Sequence, residues 1–504
     1  MKDLQGVVAA NELKAHKSPL RERVVSAVFW FGISKMLGQA ISWVITIYVV
    51  RILSPDDYGL MTMTGTFTGF ILLFNEIGLG PAIIQKQTIS EEELSNLFWL
   101  IIFYNIFIYA ALYLLAPLIS VFYNEPRLVS IIRVVGLNFV ISALGNIPFY
   151  MLTRNLSFGK RSMADFLGNL AGGVATLAFA LNGYAVWSLV YGTLTMMAVT
   201  NICFYAFYPL RPAMRFSIKK IKGMFNFGLK ISAARFFWYI YNNADNLIAG
   251  RLLGKTALGF YSLAFQFASI PIEKVVSLLT QIAFPTFSEL QNDPLKLKKY
   301  FLSMVRFVAF ITFPLFFGLF LVADDVVTMF LTEKWSPVIL PLKILCVSSA
   351  FRAVNAMNTP LLVAKGKAGV ATLSNFILAL VMPCAFYIGS FYGLEGFSYS
   401  WLVFPFLFLI TTQITLKAVG FPMGEYMNKL IHPILAVVLM TASVLALRES
   451  ALYGQDRAAR FLTSALASAV VYGLYYLIFN REMLEEAISI FKKGKRQRAE
   501  KAVS

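Results

Sequence analysis

Apolar residues form long runs along most of the chain, and short polar segments separate them. Runs near twenty residues are long enough to cross a hydrocarbon core of about 30 Å as a helix, and the pattern gives about fourteen of them. They are predicted at residues 24–50, 59–84, 97–120, 129–152, 163–182, 185–207, 226–250, 259–287, 301–323, 338–363, 371–391, 397–416, 429–447 and 459–479.

The composition agrees with this pattern. Of 504 residues, 58% are hydrophobic and 14% are charged, and the mean hydropathy is +0.69. Soluble domains are far less apolar. We therefore predict an all-α polytopic membrane protein. The first span is too long for the apolar region of a signal peptide, so no cleaved targeting signal is expected.

The net charge of +18 is spread over short connecting segments. Because no basic stripe with interleaved aromatic residues is present, the charge favours contact with membrane lipids over nucleic acid, and no nucleic-acid partner is expected. The segments on the side of the two termini hold far more lysine and arginine than those on the other side. This asymmetry predicts that both termini are cytoplasmic, with residues 481–504 as a basic tail.

Histidine and cysteine chemistry finds little support. The two histidines, His16 and His432, cannot build a histidine-based metal site or a catalytic triad. The three cysteines stand apart inside apolar stretches, with no paired spacing. We therefore expect no metal, no cofactor and no catalytic residues.

A sequence repeat occurs at an offset of 200 residues. The first span ends in RILSPDDYGL at 51–60, and the seventh ends in RLLGKTALGF at 251–260. Arginine, leucine and glycine recur in step, and a weaker similarity relates 183–187 to 393–397. Each hairpin joins the first two spans of a six-span unit, so the units are predicted to be parallel repeats with a central cavity between them.

These repeats predict the domain organisation. Residues 1–215 form a first lobe of six helices, and residues 216–420 form a second lobe of six helices. Residues 421–480 supply two further helices. The predicted architecture is thus two pseudo-symmetric lobes plus two C-terminal helices.

Ionisable residues deep inside predicted spans are costly and need a partner or a hydrated cavity. The basic ones are Lys35, Lys230, Arg235, Lys274 and Arg352, of which Lys230 lies nearest a span end. Because Arg and Lys donate charge-assisted hydrogen bonds to phosphate oxygens, we predict that they line a cationic cavity that binds a diphosphate. The alternative left open is that some of them neutralise buried acids in structural pairs.

The deep acids are Glu76, Asp245 and Glu273. The ionisation of a buried carboxylate depends on its neighbours, so these three are candidates for coupling transport to a proton or sodium gradient.

Several segments resemble a known family. They are RILSPDDYGL at 51–60, GLG at 78–80 followed by AIIQ at 82–85, DNLIAGR at 245–251, FPTFSELQ at 284–291 and EKW at 333–335. Together they are similar to the Wzx-type flippases, the polysaccharide-transport branch of the multidrug/oligosaccharidyl-lipid/polysaccharide exporter superfamily, and within it to exporters of colanic and teichuronic acid type. One departure is Ala185, where a second glycine is expected in the turn that begins at Gly183.

This resemblance implies two six-helix lobes, a cationic cavity and alternating access. The implied cargo is a polyprenyl-diphosphate-linked oligosaccharide, a precursor of exopolysaccharide or lipopolysaccharide, moved to the outer leaflet. It implies as further partners the polymerase and export machinery of the same pathway. It supports cations in the first helix (Lys35) and the seventh (Lys230, Arg235) without fixing individual contacts.

Three other classes of protein fit the sequence less well. A membrane glycosyltransferase or polymerase needs acidic groups in sizeable outward loops, and the acidic pairs at 56–57 and 324–325 lie in short ones. A multidrug antiporter for cationic drugs favours acids in its cavity, whereas cations exceed acids here. A membrane scaffold would not need so many deep charges.

Overall fold

The computed structural model describes residues 41–75, 83, 89–155, 157–210, 212–213, 239, 242–449 and 456–485. Every regular element within these ranges is helical. We number the helices α1 to α14 in chain order. Their bounds are Ile41–Ile52 (α1), Pro55–Asn75 (α2), Glu91–Tyr123 (α3), Leu128–Arg154 (α4), Phe158–Leu181 (α5), Val186–Phe207 (α6), 242–252 (α7), Gly254–Glu289 (α8), Pro294–Leu331 (α9), Glu333–Ala364 (α10), Ala368–Ser390 (α11), Gly393–Val419 (α12), Met423–Arg448 (α13) and Arg457–Phe479 (α14).

Eleven helices of the described residues, α3–α6 and α8–α14, are long and apolar enough to cross a membrane. Each coincides with a span predicted from the sequence, so the all-α membrane class is confirmed. The other three predicted spans, 24–50, 59–84 and 226–250, fall partly outside the described residues. The total of fourteen membrane-crossing helices is therefore not confirmed.

Local sequence signals explain where several helices begin and end. Ser90 accepts a hydrogen bond from the backbone N–H of Glu93, and Glu93 accepts one from the N–H of Ser90, which forms a capping box at the start of α3. Asp293 caps α9 through the backbone N–H of Lys296. Gly420, at φ 76°, ends α12 in the left-handed conformation.

Some membrane helices contain irregular turns. In α8, a π-helical turn at Ile272–Val276 follows Pro271, whose missing N–H removes one backbone hydrogen bond. α9 ends in a second π-helical turn, and α4 is interrupted at Gly136. The segments of the two remaining composite helices are Glu333–Val338, Ile339–Asn355 and Asn358–Ala364 in α10, and Gly393–Tyr399, Ser400–Val403 and Phe404–Val419 in α12.

Glycines set the distance between α5 and α6. Space for a Cβ is absent at Gly172, where the nearest atoms belong to Met196 and Gly192 of α6. Gly168 in the same way faces Thr200. Small residues let helix backbones approach closely in a membrane, where apolar burial alone does not bring helices together.

The helices form two groups. α3–α6 contact one another, and α8–α12 contact one another, while α13 and α14 pack against α9 and each other. Between the groups, the extensive contact in the described residues joins α2 to the first half of α8. We refer to α1–α6 as the first lobe and α7–α12 as the second lobe. The boundaries at 215 and 420 remain predictions.

Candidate functional site

The structure describes half of the predicted site residues. Lys35, Glu76, Lys230 and Arg235 lie outside the described residues, and their roles stay predictions. The other four are placed on three helices: Asp245 on α7, Glu273 and Lys274 on α8, and Arg352 on α10.

Asp245 is buried between α7 and α8, with 3% of its surface exposed. Its Oδ2 accepts a hydrogen bond from the hydroxyl of Tyr261 at 2.6 Å, and its Oδ1 accepts one from the backbone N–H of Asn246 at 2.8 Å. A buried carboxylate needs such donors because it has lost the hydrogen bonds of water. The sequence marks Asp245 as a deep acid, and the structure supplies its partners.

Trp401 extends this hydrogen-bond chain to a third helix. Its indole Nε1–H donates to the hydroxyl oxygen of Tyr261 at 2.8 Å. Tyr261 has no exposed surface and Trp401 only 5%. Two consecutive hydrogen bonds thus run from Trp401 on α12 through Tyr261 on α8 to Asp245 on α7, and they tie the relative positions of the three helices to one carboxylate.

Arg352 of α10 lies against the same aromatic residues. Its guanidinium carbon is 4.9 Å from the ring centre of Trp401 and 5.1 Å from that of Phe265. Both contacts have cation–π geometry, which holds a positive charge in an apolar setting. The buried Nη1 of Arg352 has no hydrogen-bond partner among the described residues. We call Asp245, Tyr261, Arg352 and Trp401 the Asp245 cluster.

Asp245 and Arg352 carry opposite charges in this cluster but do not form a direct ion pair. No described basic group lies within 4.0 Å of the Asp245 carboxylate. Trp401 stands between them, since it contacts the guanidinium with its ring and Tyr261 with its N–H. The arrangement leaves the buried Nη1 of Arg352 without a hydrogen-bond acceptor among the described residues.

Glu273 and Lys274 lie elsewhere on α8. Both side chains are exposed on the π-helical turn after Pro271. Twelve residues separate Tyr261 from Glu273, which corresponds to about 18 Å along a helix. The structure therefore does not bring these two predicted residues together with the Asp245 cluster.

Sequence reasoning missed Tyr261, Phe265 and Trp401. A signal was present for two of them, because a tyrosine or tryptophan inside an apolar helix usually needs a partner for its O–H or N–H. The sequence does not state which acid that partner is. Tyr261 and Asp245 are 16 residues apart across a turn, and Trp401 is a further 140 residues along the chain.

A second constellation, at the paired hairpins, joins the two lobes. Gly59 of α2 and Gly259 of α8 lie where the two helices cross, and a Cβ at Gly259 would come within 3.2 Å of the backbone N of Gly59. A Cβ at Gly59 would overlap the carbonyl oxygen of Lys255, and one at Gly259 that of Pro55. Only glycine permits this backbone approach. We call it the hairpin contact.

Polar side chains surround the hairpin contact. The hydroxyl of Thr256 donates to Asp56 Oδ1 at 2.5 Å across the repeat. Lys255 Nζ lies 2.5 Å from Glu125 Oε2 and 3.8 Å from Asp56 Oδ2. The second lobe thereby holds two acids of the first lobe through one lysine.

Glu125 sits in the turn between α3 and α4, outside the membrane-spanning segments. Its partial burial raises the carboxyl pKa, but the hydrogen bonds from Lys255 and Arg127 outweigh that effect, and the pKa of Glu125 lies below its ordinary value. The Arg127 contact measures 3.1 Å. Glu125 is therefore ionised in the folded protein over the whole physiological pH range.

The EKW segment also joins the lobes. Trp335 is fully buried, and its indole N–H donates to the carbonyl oxygen of Val50 at 2.9 Å. Lys334 Nζ donates to the carbonyl oxygen of Arg51 at 2.6 Å. These bonds satisfy carbonyl groups at the end of α1, which have no partner inside the helix. The start of α10 is thus docked onto the end of α1.

This two-lobed helical arrangement is similar to that of solved membrane proteins. The chain is similar to "Lipid II flippase MurJ, inward closed conformation", with a TM-score of 0.70, 15% identity, and coverage of 90% of this chain and 100% of that one. It is also similar to an inward-facing multidrug resistance transporter of the MATE family and MOP superfamily, with a TM-score of 0.61, 15% identity, and coverage of 75% and 94%.

The chain belongs to the polysaccharide biosynthesis protein family, whose model matches residues 48–340. It is 28% identical to the teichuronic acid biosynthesis protein TuaB of Bacillus subtilis, over 70% of this chain and 73% of that protein. It is 29% identical to the lipopolysaccharide biosynthesis protein WzxC of Escherichia coli, over 76% and 79%. The succinoglycan biosynthesis transport protein ExoT of Rhizobium meliloti is 21% identical over 94% and 96%.

These findings confirm the family resemblance drawn from the sequence segments. The chain is a multi-pass membrane protein of a polysaccharide biosynthesis family with a transporter fold.

Proposed function

We propose that this protein moves a polyprenyl-diphosphate-linked oligosaccharide from the inner to the outer leaflet of the bacterial cytoplasmic membrane. The observation that carries the proposal is the family match over residues 48–340 on the fold shared with a lipid II flippase. A relative named as a transport protein, which aligns with 94% of the chain, supports transport rather than synthesis as the activity.

Movement of the two lobes about the hairpin contact supplies a mechanism. Gly59 and Gly259 bring two backbones together without intervening side chains, so α2 and α8 can rotate against each other at this crossing. The bonds around it, from Lys255 and Thr256, would break when the lobes separate at this end. Charge asymmetry of the sequence assigns this end to the outer face. Closure here leaves the cavity to load from the cytoplasm.

The proposed cargo carries a diphosphate, and an anion of this kind is bound by basic side chains. Arg352 presents a buried guanidinium nitrogen without a hydrogen-bond partner among the described residues. A planar guanidinium can donate two parallel hydrogen bonds to phosphate oxygens. We propose that Arg352 binds the diphosphate together with three further basic residues: Lys35, Lys230 and Arg235.

Coupling to an ion gradient is the second element of the proposal. Protonation of Asp245 would remove the charge that Tyr261 and the backbone of Asn246 stabilise. The hydrogen-bond chain to Trp401 would carry that change to the ring on which Arg352 lies. A proton or sodium ion at Asp245 would thus alter the anion site. Glu76 and Glu273 are further candidates for binding the coupling ion. No other cofactor is proposed.

The proposed setting follows the charge distribution of the chain. Both termini face the cytoplasm, and the basic tail after residue 480 meets anionic headgroups there. The polymerase and export machinery of the same pathway would receive the flipped product.

The test uses purified protein in sealed vesicles that contain a fluorescent polyprenyl-diphosphate-linked oligosaccharide. Flipping is read from the fraction of label accessible to a membrane-impermeant quencher. Wild type is expected to expose the label, and Arg352→Met to slow exposure by roughly tenfold or more, since a charge-assisted contact is lost. The matched control is Arg481→Met, whose side chain is exposed beyond α14.

Two results would contradict the proposal. One is chain growth of the labelled oligosaccharide on addition of a sugar donor, which would identify a polymerase or glycosyltransferase. The other is equal label exposure in wild-type and protein-free vesicles. Coupling is tested separately by repeating the assay without a proton gradient, a sodium gradient or a membrane potential. A flipping rate equal to that with the gradients present would contradict the coupling role of Asp245 and leave the flipping activity itself unaffected.

A further inference from the structure

A basic cleft opens on the side of the molecule formed by α9, α13 and the segment after α14. Its volume is about 460 Å³, which is within the usual range of ligand pockets. Helix α9 belongs to the second lobe, whereas α13 and the segment after α14 belong to neither lobe. The cleft therefore forms between the second lobe and the C-terminal helices, which pack against α9. The ionisable residues that line it are Lys298, Lys299 and Arg306 on α9, Glu425 and Lys429 on α13, and Glu482 after α14.

Positive charge predominates among the described residues that line the cleft, with four basic residues against two carboxylates. Lys298 Nζ lies 2.9 Å from Glu425 Oε1, so one of the carboxylates is paired. Lys299 and Lys429 form no ion pair with any described residue. An excess of cations in a concave site concentrates the field and attracts an anion.

The cleft extends from the membrane surface toward the acyl region. Lys298 lies near the start of α9, and Arg306 lies eight residues further, which is about 12 Å along the helix. Leu302, between them on the same helix face, is an apolar part of the lining. The Nε of Arg306 donates to the sulfur of Met483 at 2.9 Å, which fixes its position. A basic site that begins at headgroup depth and ends beside apolar side chains matches a lipid with a phosphate headgroup better than a soluble anion.

The helices around the cleft also offer an apolar surface for acyl chains. Ile431 and Leu435 on α13 are 45% and 48% exposed. Ile478 and Phe479 at the end of α14 are 69% and 63% exposed. Ile431 and Leu435 lie within two turns of Lys429 on α13, and Ile478 and Phe479 lie three or four residues before Glu482. A headgroup in the cleft would therefore have apolar side chains nearby for its acyl chains.

We propose that this cleft binds the phosphate of an anionic glycerophospholipid such as phosphatidylglycerol. The other source of a lipid phosphate is the diphosphate of the transported carrier. The cleft lies against the two additional helices and not between α1–α6 and α7–α12, which favours a resident phospholipid. The bound lipid joins α9 to α13 and the end of α14, and it thereby attaches the C-terminal helices to the second lobe in membranes that contain anionic lipid.

The test measures lipid binding to the full chain in detergent by native mass spectrometry, with phosphatidylglycerol and phosphatidylcholine as probes. The wild-type protein is expected to bind phosphatidylglycerol more tightly than phosphatidylcholine. Lys299→Gln with Lys429→Gln is expected to weaken its binding roughly tenfold, the loss of a charge-assisted contact, and to leave phosphatidylcholine unaffected. The matched control, Lys160→Gln with Lys417→Gln, removes two exposed lysines outside the cleft and should bind as wild type does.

The conservative pair, Lys299→Arg with Lys429→Arg, keeps the charge and should retain binding, which separates charge loss from misfolding.

Three outcomes would overturn the proposal. Equal weakening by the control pair would indicate nonspecific surface charge. Competition by glycerol 1-phosphate as effective as that by phosphatidylglycerol would indicate a soluble anion. Displacement by a polyprenyl diphosphate at far lower concentration than by phosphatidylglycerol would assign the cleft to the cargo.

Discussion

Gly59 and Gly259, 200 positions apart in the sequence, lie side by side where the two lobes meet. A Cβ on either glycine would overlap a backbone carbonyl of the other helix, that of Lys255 or that of Pro55. Corresponding positions of a repeat that contact each other lie close to the pseudo-symmetry axis that relates the repeats. The repeat read from the sequence thus has a structural purpose: both copies omit a side chain at the same crossing.

Replacement of Gly59 by alanine is expected to weaken the hairpin contact. Because the obstructing atoms belong to the backbone of Lys255, they cannot move aside as a side chain can. We expect a loss of about 1–3 kcal/mol in the free energy of unfolding, the usual cost of overpacking. Thermal unfolding in detergent measures it.

The control for that experiment is Gly65→Ala on the same helix, where a Cβ has nothing within 4 Å. It should stabilise α2 by about 0.5–1 kcal/mol. Spin labels at Ile52 and Leu252, both exposed and related by the repeat, report separation of the lobes. A Gly59→Ala protein with unchanged melting temperature and label distance would refute the close contact.

Glu125 makes the junction between the lobes sensitive to acid. Its folded-state pKa lies below the ordinary value of 4.5, since the hydrogen bonds from Lys255 and Arg127 outweigh its burial. The contribution of ionised Glu125 to the stability of the folded protein is therefore complete above pH 4.5. It is lost as the pH falls through the lower pKa of Glu125 in the folded state. Glu125→Gln should lower the melting temperature at pH 7, and the difference from wild type should vanish in strong acid.

The matched control for this pH series is Glu395→Gln, an acid on α12 outside the hairpin contact. It should shift the melting temperature little at any pH. Lys255→Met should reproduce the loss at pH 7, because it removes the Glu125 partner. A Glu125→Gln deficit of constant size from pH 7 to strong acid would contradict the assigned ion pair.

Tyr261→Phe should destabilise the second lobe. The substitution keeps the ring but leaves Oδ2 of Asp245 and the N–H of Trp401 each without its hydrogen-bond partner. Leaving buried polar groups unpaired costs about 1–3 kcal/mol. Thermal unfolding checks this, with Tyr392→Phe as control because that tyrosine is 77% exposed.

The double variant Tyr261→Phe with Asp245→Asn distinguishes a coupled chain from two separate effects. If Tyr261 acts through the carboxylate, the two losses will not add, because the second change removes an interaction already lost. Additive losses would show that the hydroxyl stabilises the fold independently of Asp245.

The variant Ala185→Gly is expected to be more stable than the wild-type protein. Its backbone has φ 47° and ψ −131°, a region that a residue with a Cβ rarely adopts. Strain of this kind costs of order 1–3 kcal/mol, so Ala185→Gly should raise the melting temperature. The converse control is Gly183→Ala, at φ 79° with open space around a Cβ, which should lower it through backbone strain alone. A lower melting temperature for Ala185→Gly would contradict the assigned turn.

The helical spans were predictable because they depend on local chemistry, whereas the glycine expected at 185 came only from the family pattern. An apolar run of about twenty residues has one stable form in a bilayer, since only a helix satisfies every backbone group within its own segment. The eleven confirmed spans follow from this rule.

The partners of the deep charges were not predictable. The sequence separates Asp245, Arg352 and Trp401 by about one hundred and about fifty residues, and its periodicity does not state which faces of α7, α10 and α12 meet. The prediction of deep cations near deep acids allowed either an ion pair or an anion site. The aromatic residues between Asp245 and Arg352 are a result of packing across helices.

By itself, the sequence determined which segments enter the membrane, that two of them repeat, and that positive charge exceeds negative charge among the deep ionisable residues. Entry into the membrane follows from the free energy of transferring individual residues between water and lipid. The repeat follows from identities at a fixed offset, and the charge excess from the residues present in the spans. Tertiary structure alone decided that the repeat glycines touch, that Tyr261 links Asp245 to Trp401, and that α9 and α13 enclose a basic cleft. Contacts between helices depend on rotation and crossing angle, which are set by the packing of all the neighbours at once.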